Sequence, residues 1–262
     1  LAAKVSVTGR WHDFEAVNIG GTRTVLDEAR AAGVDRFVYV SSPSVAHVGR
    51  ALVGAGNDPA DPVRARGHYA RSKAAAESLA LAADRPDLAV VAIRPHLVWG
   101  PGDTQFVPRI IQRARSGRLA LIDHGAALID TTYVTNAADA IVAAVDRAPV
   151  ARGQALVVSN GQPRTVAELV TRICRAAGAP PPRLRVPYPV AAAGGGVVEV
   201  VWAALRRTDD PPMTRFLAEQ LATAHWFDQR RTREVLQWTP TVGLDRGFEL
   251  LAEAFAGETA AA

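Results

Sequence analysis

The chain has 262 residues, 48% of them hydrophobic, with 30 basic and 26 acidic side chains and a formal net charge of +4. That composition allows a sizeable core and excludes a disordered chain. A single cysteine excludes an internal disulfide, and the interspersed charges, RIIQRARSGR and DQRRTRE included, read as solvated helix faces rather than a nucleic-acid patch.

In chain order, LAAKV reads as a short extended opening, and FEAVNIGGTRTVLDEARAAG as a helix with Asp13 as its N-cap and Gly33 as its stop. DRFVYVSS is a short β-branched run, predicted to be a buried strand. Pro43 to Gly67 reads as a long loop, of a length that usually carries function. HYARSKAAAESLALAA is a predicted helix, DLAVVAIRP a second buried strand, WGPGD a loop and FVPRIIQRARSG a helix. LALID and ALIDTTYV look like a hairpin across HGA. NAADAIVAAVDRA is then a helix, GQALVVSN a strand and TVAELVTRICRAAG a helix. Cys174 lies among Val166, Leu169, Val170, Ile173 and Ala177 at helical spacing, so it reads as core.

Alternating buried strands and helices imply an α/β fold with a parallel sheet covered on both faces. After about residue 180 the pattern changes to helices with Pro-rich joints. Residues 1–180 are therefore expected to form the sheet domain, with 99–132 partly contributing to a second lobe. Residues 181–262 are expected to be that smaller, mainly helical lobe. The run 190–205 is apolar around most of a helix through Val197, Val198, Val200, Val201, Trp202 and Leu205. It is core, or it faces lipid or an apolar ligand, and the ligand reading is preferred. Glu199 and three glycines interrupt it, so it does not read as a membrane span. No signal-peptide pattern is visible and a cytoplasmic location is expected.

Tyr69 and Lys73 stand four apart on a predicted helix, so they share a face. Lys73 is one of two lysines in a chain whose other basic residues are arginines. An ammonium is a compact point charge, and a cation near a phenol lowers its pKa from about 10. The phenol then becomes a usable general acid/base. Ser41 and Ser42 close the preceding strand, where parallel α/β sheets place their ligands. A serine hydroxyl there can donate to a substrate carbonyl oxygen.

YVSSPSV, YARSK, IRPHLVWGPGD and TTYVTNAADA, in that order, resemble the extended short-chain dehydrogenase/reductase family of NAD(P)-dependent oxidoreductases, epimerases and dehydratases. NIGGT is similar to that family's Asn-containing helix motif, and LAAK to the end of its fourth strand. VPYPVAAAGGGVVEVVWAAL, PPMTR and FDQRRTREVLQWTPTVGLDRGF resemble the branch holding 3-beta-hydroxysteroid and sterol-carboxylate dehydrogenases. Bacterial reductases of long-chain 2-alkyl-3-oxo acids are also similar.

The resemblance implies a Rossmann-type doubly wound sheet and hydride transfer between an alcohol or ketone and NAD, with NADP an alternative. It makes Tyr69 the acid/base, gives Lys73 the nicotinamide ribose, and has Ser42 orient the carbinol oxygen, with Ser44 a weaker alternative. It gives Asn18 a water in the proton relay. Cofactor contacts are implied at Ala2, Ala3, Lys4, Val40, Ser41, Tyr69 and Lys73, and at Pro95, His96, Leu97 and Val98. His96 is read as pocket wall rather than base. No metal site is expected. The partners implied are a small apolar substrate, a peripheral membrane contact and, at full length, a second copy.

The sequence departs from the family in two respects. Thr135 stands where the family often has Asp. No Gly-rich phosphate turn precedes LAAK, and neither GAGND nor the GGG at 194–196 has the strand-to-helix setting of one. The first strands of the sheet are accordingly expected to be missing, which would leave strand four as a bare edge. Two rival readings are a nucleotide-sugar epimerase or dehydratase, using Arg206, Arg207 and Arg215 for a diphosphate, and a non-catalytic binding module.

Overall fold

The runs DRFVYVSS, DLAVVAIRP and GQALVVSN build the central sheet, the first of them as a half-exposed edge in which only Tyr39 is buried rather than the buried strand expected. In the computed structural model, residues 3–6, 9–47, 51–205, 207 and 211–261 are described. α1 (Trp11–Phe14) continues through a π-helical turn, Glu15–Gly20, into α2 (Gly21–Ala31). Then come β1 (Arg36–Val40), β2 (Leu52–Ala55), α3 (Gly67–Leu81), β3 (Ala89–Pro95), β4 (Val98–Trp99) and α4 (Phe106–Arg115). β5 (Ala120–Ile122), β6 (Leu128–Ile129), β7 (Thr132–Tyr133), α5 (Val134–Asp146), α6 (Ala148–Ala151), β8 (Ala155–Val158), β9 (Arg164–Thr165) and α7 (Val166–Ala176) follow. The chain ends with β10 (Leu184–Val186), α8 (Tyr188–Ala204), α9 (Arg215–Ala222), β11 (His225–Phe227), α10 (Arg230–Leu236) and α11 (Leu244–Ala261).

The central sheet has the order β1-β3-β8, all parallel, with Val40 opposite Ile93 and Ile93 opposite Leu156. β3 is apolar apart from Arg94 because both of its faces are covered. Ala89, Val91 and Ile93 pack with α5, α6 and α10 through Ala140, Ala144, Ala148 and Leu236. The alternate residues Val90 and Ala92 pack with Leu26 of α2 and with Ala76 and Ala80 of α3. The small alanines let α3 lie close to the sheet, which sets the position of its polar residues. A second core joins Trp99 to α4, α7 and α11. Cys174 is fully buried in it.

The first helix starts at Trp11, with Arg10 at its N-cap and Asp13 inside it rather than capping it, and three further elements differ from expectation. Residues 3–6 form no strand, because Asn18 occupies the backbone N–H and the carbonyl of Lys4 that a ladder would need. The open edge among the described residues is thus β1, not the LAAKV segment. The expected hairpin across HGA does not form either. Asp123, His124 and Gly125 all have positive φ, and that turn sends the flanking strands to distant partners. β5 pairs with β10 in parallel, while β6 pairs with β11 and β9. Finally, the long loop contains a 3₁₀ turn, Pro43–Ala46, and β2, which pairs with β11. Past residue 180, β11 therefore returns to β2, and α11 packs on α7.

Candidate active site

β1 carries the chain to the C-terminal edge of the parallel sheet, and the Ser41 N–H donates to Ile93 O at 2.7 Å. Ser42 is extended and caps the 3₁₀ turn, in which Pro43 fixes the first φ. Its Oγ accepts from the Ser44 N–H at 3.3 Å and shares a 2.9 Å hydrogen bond with Ser44 Oγ. α3 brings Tyr69 and Lys73 against this corner, and the nearby Ser42 side chain pulls the Tyr69 pKa down. The buried Lys73 Nζ donates to Val40 O at 2.5 Å and lies 4.3 Å from the centroid of the Tyr39 ring. Ser42, Tyr69 and Lys73, from two elements, are thus together at the strand end.

Burial raises the Tyr69 pKa, and the Ser42 side chain only partly opposes this. Burial also lowers Lys73 to about 8, while the carboxylate of Glu77 resists the drop. The expected lowering of the phenol by Lys73 is not what this geometry does. The ammonium is directed to Val40 and the Tyr39 ring, and the phenol stays protonated at neutral pH. A protonated phenol beside a serine hydroxyl can donate to a ketone oxygen as negative charge develops there.

Asn18 sits within the π-helical turn, and its side chain makes three hydrogen bonds. Oδ1 accepts from Lys4 N–H at 2.7 Å, while Nδ2 donates to Lys4 O at 3.2 Å and to Ser72 Oγ at 2.9 Å. Ser72 Oγ in turn donates to Tyr69 O at 2.9 Å. Both N–H donors of the amide are thus used, while Oδ1 keeps a second lone pair that a water could donate to. Asn18 also clips the opening segment to α3. The Lys4 ammonium turns toward Asp13 at 3.4 Å and the Phe14 ring, away from the serine corner. Ala3 is exposed, and Ala2 and Arg206 lie outside the described residues.

Pro95 ends β3, Leu97 adopts a positive φ of 40°, and Val98 opens β4, so the backbone turns sharply beside the serine corner. The His96 ring bonds Asp130 O at 2.5 Å and packs edge-on to Phe227 at 4.9 Å. Loss of solvent holds its pKa down at about 4, which fits a neutral wall better than a base. His47 and His225 stand next to it, with His225 centroids 5.2 Å from His47 and 6.2 Å from His96.

Sequence reasoning missed the pair beneath Lys73. Glu77 and Arg94 are each 1% exposed and joined by two hydrogen bonds of 2.9 and 2.5 Å, and Arg94 also donates to Asp58 O at 2.7 Å. The signal was available: Glu77 continues the four-residue spacing of Tyr69 and Lys73 along one helix face. Ser72 had only its place within YARSK.

The model of the 3-beta hydroxysteroid dehydrogenase/isomerase family matches residues 1–188. The chain is 40% identical over 260 residues to a 2-alkyl-3-oxoalkanoate reductase of Stenotrophomonas maltophilia, covering 95% of this chain and 77% of that protein. The chain belongs to the 3-beta hydroxysteroid dehydrogenase/isomerase family. A further member-like relative is the decarboxylating sterol-4-alpha-carboxylate 3-dehydrogenase of Schizosaccharomyces pombe, 30% identical over 88% of this chain and 69% of that protein. Among solved structures, a UDP-glucuronic acid 4-epimerase from Bacillus cereus in complex with NAD superimposes with a TM-score of 0.72 at 18% identity, covering 98% of this chain and 73% of that one. That likeness supports the Rossmann-type fold.

Membership in the 3-beta hydroxysteroid dehydrogenase/isomerase family makes the chain an NAD(P)-dependent oxidoreductase of the extended short-chain type. Its residues fit the nicotinamide-ribose end of that cofactor. Lys73 spends one of three N–H donors on Val40, leaving two for ribose hydroxyls. Ser41 Oγ is buried at the strand end with no partner among the described residues. Bound NAD(P) supplies or accepts the hydride.

Proposed function

We propose that the chain interconverts a secondary alcohol and a ketone on an apolar substrate of long-chain 3-oxoacyl, sterol or 3β-hydroxysteroid type. Tyr69 is the proton donor and acceptor, Ser42 orients the reacting oxygen, and Lys73 binds the ribose. The observation that carries this reading is the gathering of Tyr69, Ser42 and Lys73 at the C-terminal edge of the parallel sheet, where Lys73 Nζ donates to Val40 O and the Ser42 side chain acts on the Tyr69 phenol. The substrate class is supported by the names of the relatives, a 3-oxoalkanoate reductase and a sterol 3-dehydrogenase.

The nucleotide-sugar alternative needs free cations for a diphosphate. Of its three candidates, Arg215 is paired with Glu199 and Arg207 stacks on Trp202 at 4.7 Å. The test is turnover of the purified protein with NADH or NADPH, followed at roughly 340 nm, the band of the reduced cofactor. Long-chain 2-alkyl-3-oxo acids and 3-hydroxysteroids are expected to react. Activity confined to UDP-sugars rejects the substrate class, and absence of turnover with every substrate class, under conditions where NADH fluorescence shows the cofactor bound, rejects the enzyme reading.

A further inference from the structure

The Lys73 ammonium is buried, and among the described residues no carboxylate pairs with it directly. Glu77 is the acid that acts on it, but both Glu77 oxygens are taken by Arg94, at 2.9 and 2.5 Å. The cation is thus short of a counter-ion, and a buried cation without one gives up its proton readily. Two other groups meet it. Val40 O accepts one N–H at 2.5 Å, and the Tyr39 ring takes the charge on its face, with Nζ 4.3 Å from the centroid. An aromatic face is the negative side of the ring quadrupole, and it attracts a desolvated ammonium that lies within about 6 Å of the centroid.

Tyr39 and Val40 are consecutive residues of β1, and Tyr39 faces the side on which α3 packs, among Leu26, Ala76 and Ala80. One short stretch of strand therefore offers Lys73 a carbonyl and a ring together. The Tyr39 hydroxyl is buried with no hydrogen-bond partner among the described residues, so the ring rather than the phenol oxygen is what this position uses. We infer that Tyr39 is a positioning residue for Lys73, whose ammonium it keeps charged and fixed through a cation–π contact. The value of that contact to catalysis rests on the ribose-binding role proposed for Lys73, while the contact itself does not. The titratable and charged groups facing Lys73 are Tyr39 from β1, Tyr69 and Glu77 from α3 and, behind Glu77, Arg94 from β3. Glu77 also favours the charged form, so the test has to change the ring face and leave the carboxylate in place.

The chain has two lysines, Lys4 and Lys73. Lysine labelled with ¹³C at Cε therefore gives two NMR signals from the purified protein, and Lys4→Arg assigns them. Ring current is expected to hold the Lys73 ε-methylene protons upfield in the unaltered protein and in Tyr39→Phe, and Tyr39→Leu is expected to release them. The Lys73 titration midpoint, about 8 in the unaltered protein, is expected to stay there in Tyr39→Phe and to drop by about one pH unit in Tyr39→Leu. Tyr39→Phe made with ring-fluorinated phenylalanines is expected to lower it stepwise, because fluorine withdraws density from the ring face with little change of size. In turnover with NADH or NADPH, the alkaline limb of kcat/KM is expected to move with the NMR midpoint. Absence of the upfield shift in the unaltered protein overturns the proposal without any variant. So does a midpoint that fluorination leaves unchanged, or one shared by the Phe and Leu variants while Leu alone lowers the melting temperature, which is the outcome for a residue that only packs. The NMR is read on the protein without cofactor or substrate, so its failure leaves the oxidoreductase reading standing, and absence of turnover leaves this contact standing.

Discussion

Burial beside Ser42 holds Tyr69 protonated. Removing its hydroxyl should therefore remove the proton donor and little else. Tyr69→Phe is expected to lower kcat/KM for ketone reduction about 10²–10⁴-fold, with an unchanged circular dichroism spectrum; near-normal turnover rejects the assignment. Lys73 adds a pH signature. Its ammonium is protonated below about 8 and is lost as pH rises through that value. The pH profile of kcat/KM is expected to fall on the alkaline side near this point. Glu77 supports that charge, so Glu77→Gln moves the limb to lower pH. The same change leaves Arg94 buried without its carboxylate and costs about 3–5 kcal/mol of stability. Combining it with Arg94→Met recovers most of the stability, which separates the pH effect from unfolding.

At the scale of elements, two interfaces depend on single residues. Gly195 sits against the Thr214 backbone, whereas a Cβ at neighbouring Gly194 meets nothing within 4 Å. Gly195→Ala is expected to destabilise by about 1–3 kcal/mol through overpacking. Gly194→Ala should stabilise by up to about 1 kcal/mol through helix propensity. Paired thermal melts check both signs, and equal shifts would show that α8 does not pack this closely on α9. The second interface is the clip from Asn18 to Lys4 and Ser72. Its helix was legible in the sequence from its length and the Gly33 stop. The π-helical turn was not, because no local pattern in EAVNIG announces it. What the turn serves is a contact between Asn18 and residues 14 and 54 positions away. The pairing of β5 with β10 and of β6 with β11 was hidden for the same reason: LALID and ALIDTTYV carry strand character but nothing that names a partner.

Across the whole molecule, three chain segments bring His47, His96 and His225 into one buried group. Burial lowers all three from 6.5, His96 to about 4 and His225 to about 3. The unfolded chain thus binds more protons than the folded one below 6.5, and stability falls as pH drops from there toward 4 and 3. Asp130 acts in the opposite sense, since burial raises it to about 6 and its protonation favours the fold as pH falls through that value. Three histidines outweigh one carboxyl, so acid should destabilise the protein. Urea unfolding is expected to give a lower midpoint at about pH 4.5 than at 7.5, and His225→Phe should flatten the difference. A midpoint independent of pH would show that these rings are not neutral in the fold.

The sequence by itself determined the parallel α/β sheet, because β3 and its neighbours are continuous apolar runs that only a doubly covered sheet can bury. It also brought Tyr69 and Lys73 onto one face, since helical spacing alone does that. Tertiary structure decided where Lys73 points, how the phenol is protonated, and that Glu77 and Arg94 lie beneath them, because desolvation and charge pairing depend on what each side chain meets across the fold. It likewise decided that the valines of α8 face outward. A helix apolar on every side has no periodicity to orient it, and the choice fell to the glycines, the one surface small enough to meet α9.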